Sequence, residues 1–271
     1  MRVLLCAALV AVTCALPLSA ASVDGLRLHW SAAGQGKKTV VFVHGWTCDS
    51  SSWASQVLVL ARKYRVVTLD LPGHGRSQSP RDGKFSMELF ARAVESVRRE
   101  VGASRVVLAG HSMGTPVIRQ YARDYPRRVA GLVLVDGLVS LPPGVVAPQP
   151  DEMRGPGGLK ARESMIRGMF TPDTPVTLQK QITAMMLRPP EATAAGAMAA
   201  TFSSNWTDDV MTMPVLGVYA DKSQLANRDS LKKIFPELEY VEIPGTGHFL
   251  MMEKPQEFNR LISAFLDKLS Y

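Results

Sequence analysis

The stretch VVLAGHSMGTPV, residues 106–117, joins an apolar, β-branched run to a segment with helical spacing and places Ser112 between Gly110 and Gly114. A buried strand that ends here and a helix that begins here leave Ser112 on a sharp turn. On such a turn the residues two before and two after the serine crowd each other and the neighbouring strand, a clash that glycine relieves. The helix N-terminus adds unpaired N–H groups and a partial positive charge. The stretch therefore predicts a nucleophilic serine with hydrogen-bond donors beside it.

The rest of the chain alternates short apolar runs with longer segments of helical period. Six runs are predicted as strands: residues 40–43, 66–69, 106–109, 132–135, 215–219 and 240–243. Five segments are predicted as helices: residues 52–63, 86–101, 115–125, 227–235 and 255–269. An antiparallel edge strand is expected at residues 26–31, after the Asp24-Gly25 turn. This order predicts an α/β fold with a mostly parallel, doubly wound sheet covered by helices.

The alternation stops between residues 137 and 213, which are rich in Pro and Gly at first and then helical and methionine-rich. An insertion of this size is predicted as a helical cap, or lid, that divides the core into residues 22–136 and 214–271. Methionine side chains give an adaptable apolar lining, and they also serve to pack a lid onto a sheet. Both interpretations of these methionines stay open at this point.

Four segments, in this order along the chain, resemble motifs of the α/β-hydrolase family. They are VFVHGW at 41–46, LDLPGHGRS at 69–77, GHSMG at 110–114 and PGTGHFLMMEKP at 244–255. They are similar to the family's oxyanion loop after its third strand, the turn after its fourth strand, its G-x-S-x-G nucleophile elbow and its histidine loop. The resemblance implies an α/β-hydrolase fold with the cap inserted after the strand that the family counts as its sixth.

The resemblance also implies roles for individual residues. Ser112 would be the nucleophile and His248 the general base that takes the serine proton and returns it to the leaving group. The backbone N–H groups of Trp46 and Met113 would form the oxyanion hole. Gly110 and Gly114 are the elbow glycines.

The acid of the triad has two candidates. Many relatives carry it after the seventh strand, but here Ser223 stands where that aspartate would fall, and Asp221 comes two residues earlier. Asp136 ends the sixth strand, LVLVDG, where some relatives carry their acid. Since hydrogen-bond geometry to a histidine tolerates little displacement, we favour Asp136 and keep Asp221 as the alternative.

The N-terminal segment and the net charge of the chain predict where the protein is located and which partners it has. Residues 1–20 carry a positive Arg2, an uncharged apolar run and Pro17, which predicts a signal peptide over residues 1–21 and a secreted or periplasmic protein. The alternative is an N-terminal membrane anchor; otherwise no stable membrane insertion is expected. The formal net charge of +7 is scattered over 271 residues, so nucleic acid is not an expected partner.

A serine nucleophile with a histidine base predicts acyl transfer on a small molecule. The favoured reaction is hydrolysis of a carboxylic ester or lactone with a small to medium apolar substrate, through an acyl-enzyme. The sequence contains no metal-ligand spacing or nucleotide loop, so neither a metal nor another cofactor is expected. Carbon–carbon bond hydrolysis, perhydrolysis, thioester hydrolysis and acyl transfer stay open, as does a ligand-binding protein without turnover.

Overall fold

A seven-stranded sheet forms the centre of the computed structural model, which describes residues 21–141 and 149–271. A short hairpin, β1 (Ser22–Val23) and β2 (Leu26–Arg27), precedes it. The sheet contains β3 (Trp30–Ala33), β4 (Thr39–Val43), β5 (Arg65–Leu69), β6 (Val106–His111), β7 (Val129–Val135), β8 (Val215–Ala220) and β9 (Leu238–Ile243). Their order across the sheet is β3-β5-β4-β6-β7-β8-β9, with only β3 antiparallel to its neighbour. The predicted signal peptide falls almost wholly on residues 1–20, outside the described residues.

Helices flank this sheet. In the described part of the chain they are α1 (Ala54–Leu60), α2 (Met87–Glu100), α3 (Gly114–Asp124), α4 (Gly155–Arg167), α5 (Val176–Met186), α6 (Glu191–Phe202), α7 (Arg228–Ile234), α8 (Leu250–Glu253) and α9 (Pro255–Lys268). Helix α2 shows why such segments begin where they do, since the Ser86 hydroxyl accepts the Leu89 N–H at 3.1 Å. None of the helices among the residues described is long and apolar enough to cross a membrane.

The central strands are buried along their whole length. Every residue of β4, β6, β7 and β8 is buried, as continuous apolar runs between two helical layers require. Strand β9, at one edge, is mostly half-exposed. The predicted α/β fold with a mostly parallel sheet is therefore confirmed.

Two sequence predictions differ from the structure at the periphery. The predicted edge strand at 26–31 is divided, because β2 pairs with β1 across the Asp24-Gly25 turn while β3 pairs with β5, with Trp30 opposite Leu69. The helix predicted at 52–63 is a short 3-10 turn at Ser50–Trp53 followed by α1. Asp49 starts that turn by accepting the Ser51 N–H at 2.9 Å.

The predicted cap segment contains α4, α5 and α6, between β7 and β8. Arg119 of α3 holds both of its ends, because the guanidinium donates to the carbonyl oxygen of Val139 and, at 2.8 Å, to that of Thr207. It also lies 3.5 Å from Asp209. Arg119 is fully buried, so these charge-assisted bonds fix the cap to the helix that follows the predicted serine turn.

Candidate active site

Ser112 lies on the turn between β6 and α3 in a left-handed backbone conformation, with φ of +52°. Its N–H donates to the Val135 carbonyl at 2.9 Å, and its carbonyl accepts the Thr115 N–H at the same distance. A non-glycine residue in this region costs about 1–3 kcal/mol and persists only where neighbours impose it. The two bonds impose the turn and leave Ser112 half-buried on the wall of a cavity.

The two glycines around the serine are required by close backbone approach. A Cβ atom at Gly110 would lie 2.3 Å from the Gly114 carbonyl oxygen, and one at Gly114 would lie 2.5 Å from the Val43 carbonyl oxygen. Both distances are shorter than van der Waals contact allows. The turn therefore crowds its own flanks and the neighbouring strand β4, as the sequence predicts.

Trp46 and Met113 line the same cavity as Ser112. Met113 is the residue before α3, and Trp46 lies in the loop after β4. Among the described residues, neither backbone N–H donates to a protein acceptor. The Trp46 indole N–H donates to the Ala194 carbonyl at 2.8 Å, which fixes this loop against the cap helix α6. Trp46 and Met113 therefore stay the predicted donors for an oxyanion at Ser112.

His248 contacts one of the two candidate acids. Its Nδ1 lies 2.6 Å from Asp136 Oδ2, and the other oxygen of Asp136 accepts the Ala220 N–H at 3.1 Å. Asp136 follows β7 with φ of +42°, a conformation that turns the chain away at the strand end. The Asp136 side chain is 4% exposed and that of His248 is 11% exposed, so the pair is nearly removed from water.

The Asp136 carboxylate is held in its ionised form. Burial alone would raise its pKa, but the hydrogen bond and charge of His248, with further hydrogen bonds from Ser223 and the Ala220 N–H, keep the pKa below its ordinary value. An ionised acceptor at Nδ1 keeps the proton on that nitrogen. In the neutral imidazole, this tautomer leaves the lone pair on Nε2.

Asp221 does not make this contact. It is exposed, and its Oδ1 accepts the Gly245 N–H at 3.2 Å, which ties the loop after β8 to the loop after β9. Ser223 stands near the Asp136–His248 pair, and its hydroxyl also accepts the Leu225 N–H at 3.2 Å. The sequence showed Ser223 only as a departure from the usual pattern, and its support of Asp136 was missed.

Three other histidines in the motifs, His44, His74 and His111, are buried, and their imidazoles contact backbone N–H or carbonyl groups. His44 Nε2 accepts the Leu71 N–H at 3.0 Å, and His111 lies 2.8 Å from the His248 carbonyl oxygen through its Nε2. Burial lowers the pKa of His44 and, with a neighbouring imidazole, lowers the pKa values of His74 and His111 to about 3. They are therefore neutral at physiological pH.

The cavity has a volume of about 460 Å³ and lies between the strand ends and the cap. Its apolar lining consists of Trp46, Met113, Pro116, Leu138, Met165, Met169, Phe170, Met198, Ala220, Phe202 and Leu225. Three of its methionines come from the cap, so they line the cavity as well as pack the lid. Within residues 21–141 and 149–271, no three His, Cys, Asp or Glu side chains cluster as a metal site would need.

Residues 40–261 match the model of the alpha/beta hydrolase family. The chain therefore belongs to this family, and the mostly parallel seven-stranded sheet flanked by helices is the family's fold. Among solved structures, it is similar to a thermophilic esterase from Thermogutta terrifontis, with a TM-score of 0.83 and 26% identity. The similarity covers 92% of this chain and 96% of the esterase.

Two curated relatives match shorter parts of the chain. The dihydrolipoyllysine-residue acetyltransferase component of the acetoin cleaving system of Cupriavidus necator is 42% identical over 115 residues, which are 42% of this chain and 30% of that protein. A 2-hydroxy-6-oxononadienedioate/2-hydroxy-6-oxononatrienedioate hydrolase of Paraburkholderia phymatum is 34% identical over 161 residues, 58% of this chain and 52% of that enzyme. The chain thus spans about a third to a half of these relatives.

Proposed function

We propose that the protein is a serine hydrolase that cleaves carboxylic esters or lactones with a small to medium apolar acyl group. The observation that carries the proposal is the 2.6 Å contact between His248 Nδ1 and Asp136 Oδ2 inside an apolar cavity that Ser112 also lines. The likeness to the thermophilic esterase supports this choice within the family.

In the proposed first half-reaction, the Ser112 hydroxyl attacks the ester carbonyl while His248 Nε2 takes its proton. The carbonyl oxygen becomes an oxyanion that accepts hydrogen bonds from the Trp46 and Met113 N–H groups. The tetrahedral intermediate then collapses, the C–O bond to the alcohol breaks, and the alcohol leaves with the proton from His248. An ester between the acyl group and Ser112 remains.

In the second half-reaction, water is the nucleophile and Ser112 is the leaving group. His248 takes a proton from a water molecule, the hydroxide attacks the acyl carbonyl, and Ser112 leaves with that proton while the acid product is released. Asp136 stays ionised in both halves, because it orients the imidazole and stabilises the imidazolium that forms twice. Asp221 has no part in this mechanism.

A panel of p-nitrophenyl esters of graded acyl length tests the proposal. The wild type is expected to hydrolyse them with the highest kcat/KM at a short or medium acyl chain. Ser112→Ala should lose about 10⁴-fold or more in kcat, since it lacks the nucleophile. Ser104→Ala is the matched control, because Ser104 is exposed in the turn before β6 and should keep full activity. Equal activity of Ser112→Ala and the wild type would contradict the proposal.

Hydrolysis of a carbon–carbon bond is the second candidate. It is favoured by the 34% identity to the Paraburkholderia phymatum hydrolase over 161 residues. Comparing kcat/KM for 2-hydroxy-6-oxononadienedioate with that for p-nitrophenyl butyrate separates the two. A higher value for the ester supports the first candidate, and a higher value for the dioate supports the second.

A further inference from the structure

The loop that carries His248, residues 244–249 (the histidine loop), is held by the backbone of His248 itself as well as by Asp136. The His248 N–H donates to the Met169 carbonyl at 3.0 Å, and the His248 carbonyl lies 2.8 Å from His111 Nε2. Met169 belongs to the cap, just after α4. The cap therefore supplies one of the hydrogen bonds that hold the backbone of His248.

Glu253, at the end of α8, joins the same two parts of the molecule. Its Oε1 and Oε2 accept the Gly247 N–H at 3.1 and 3.0 Å, and Oε2 also accepts the Thr174 hydroxyl at 3.0 Å. Thr174 is a buried cap residue whose hydroxyl oxygen in turn accepts the Thr171 N–H at 3.0 Å. A single carboxylate thus bridges the histidine loop and the cap segment at residues 169–174.

The backbone of the histidine loop is in close contact with the backbone of that cap segment. A Cβ atom at Gly247 would lie 2.6 Å from the Met169 carbonyl oxygen, so the two backbones are in close contact. Gly247 directly precedes His248, and a shift of its N–H moves the Cα atom from which the imidazole extends. Displacements of about 1 Å cost about 10²-fold in catalytic rate.

We propose that Glu253 is a positioning residue for His248 and that, through Glu253 and Thr174, the cap segment is part of the support of the histidine. The proposal rests on the proposed function for the role of His248. Glu253 does not line the cavity, so it acts through the loop and not on the substrate.

Glu253→Gln tests the bridge with little change in volume. A Gln carbonyl oxygen at the position of Oε2 can still accept both bonds, but its NH2 group then replaces Oε1 and faces the Gly247 N–H, a donor against a donor, and the negative charge is lost. We expect kcat to fall about 10- to 100-fold with KM changed less than about threefold, since Glu253 itself does not line the cavity. Thr174→Val, which removes only the cap side, should lower kcat by a smaller factor. Glu257→Gln, four residues further along, is the control and should match the wild type.

A second readout needs no turnover. In the wild type, the His248 Nδ1 proton bonded to Asp136 should give a low-field proton NMR resonance, and Glu253→Gln should broaden or shift it. An unchanged resonance and unchanged kcat in soluble Glu253→Gln would overturn the proposal, as would a change in KM alone. If Glu253→Gln does not fold, Thr174→Val decides by the same two readouts. A wild type inactive on every ester contradicts the proposed function instead, and the resonance still tests the bridge.

Discussion

At the scale of single residues, the site depends on which carboxylate faces His248. Asp136 reaches it because the left-handed conformation after β7 turns the side chain towards the ends of β8 and β9. Its second oxygen is fixed by the Ala220 N–H, so the carboxylate cannot rotate away without losing a buried hydrogen bond. Asp221 points instead to the Gly245 N–H.

Exchange of each aspartate for asparagine separates the two directly. Asp136→Asn keeps the shape but removes the charge that holds the proton on Nδ1, so kcat should fall by about 10⁴-fold. Asp221→Asn keeps an acceptor for the Gly245 N–H and should change kcat by less than about threefold. Steady-state kinetics on p-nitrophenyl butyrate measures both. A loss confined to Asp221→Asn would reverse the assignment.

The residues of the site differ in how far the sequence reveals them. Ser112 is indicated by its position between a strand and a helix with glycines on both sides, and His248 by the resemblance of its loop to the family's histidine loop. Asp136 could only be favoured over Asp221, because the choice depends on how strands β7 and β8 and the loop after β9 come together in space. Glu253 was missed for the same reason, since its partner Thr174 is 79 residues away in the chain.

At the scale of secondary-structure elements, the strand–turn–helix around Ser112 is set by backbone contact. Gly110→Ala would place a methyl group 2.3 Å from the Gly114 carbonyl oxygen, between two elements that are both buried. We expect a loss of about 3 kcal/mol or more in the free energy of unfolding, or no soluble protein.

Gly157→Ala provides the opposite control. Gly157 lies in α4 with no atom near the position of a Cβ, so alanine should raise stability by up to about 1 kcal/mol. Urea denaturation of both variants measures these changes. A Gly110→Ala variant as stable as the wild type would show that the turn is looser than described.

Helices α2 and α3 are joined by a buried carboxylate. Glu95 contacts Arg98 at 2.7 Å and the Tyr121 hydroxyl at 2.8 Å. Burial alone would raise the pKa of Glu95, but hydrogen bonds from Arg98, Tyr121 and Arg99 lower it from 4.5 to about 2. Because the folded-state pKa is lowered, the stabilisation is complete above about pH 4.5 and disappears as the pH falls through about 2.

Glu95→Gln should therefore be destabilised at neutral pH and much less so in acid. We expect a loss of about 3 kcal/mol in the free energy of unfolding at pH 7, because Arg98 keeps a buried charge without its partner. The difference in the free energy of unfolding between the variant and the wild type should shrink between pH 4.5 and 2, because Glu95 of the wild type becomes protonated there. Urea denaturation at several pH values measures this, and an equal difference at every pH would contradict it.

Strands that are buried along their whole length could be predicted from the sequence. Strands β4, β6, β7 and β8 are continuous apolar runs between helices, and their sequences predict them well. The periphery was less predictable, because the division between β2 and β3 depends on which neighbour each short segment pairs with. The bounds of α1 depend on Asp49 capping the preceding turn, a local hydrogen bond that periodicity does not reveal.

At the scale of the whole molecule, the cap and the core form one site. Arg119 holds both ends of the cap, Trp46 is bonded to Ala194 of the cap, and the histidine loop is bonded to Met169. The predicted donors for the oxyanion and the predicted base therefore both depend on the position of the cap. Because three cap methionines also line the cavity, we expect changes in the cap to affect both substrate binding and catalytic geometry.

The most direct test of the account is to locate the adduct of a fluorophosphonate probe by peptide mass spectrometry. The probe reacts with a serine that a histidine has activated. We predict a single adduct on Ser112 that is lost in His248→Ala and retained in Ser104→Ala. An unlabelled Ser112 in folded wild-type protein, or labelling that persists in His248→Ala, would contradict the claim that Ser112 is an activated nucleophile.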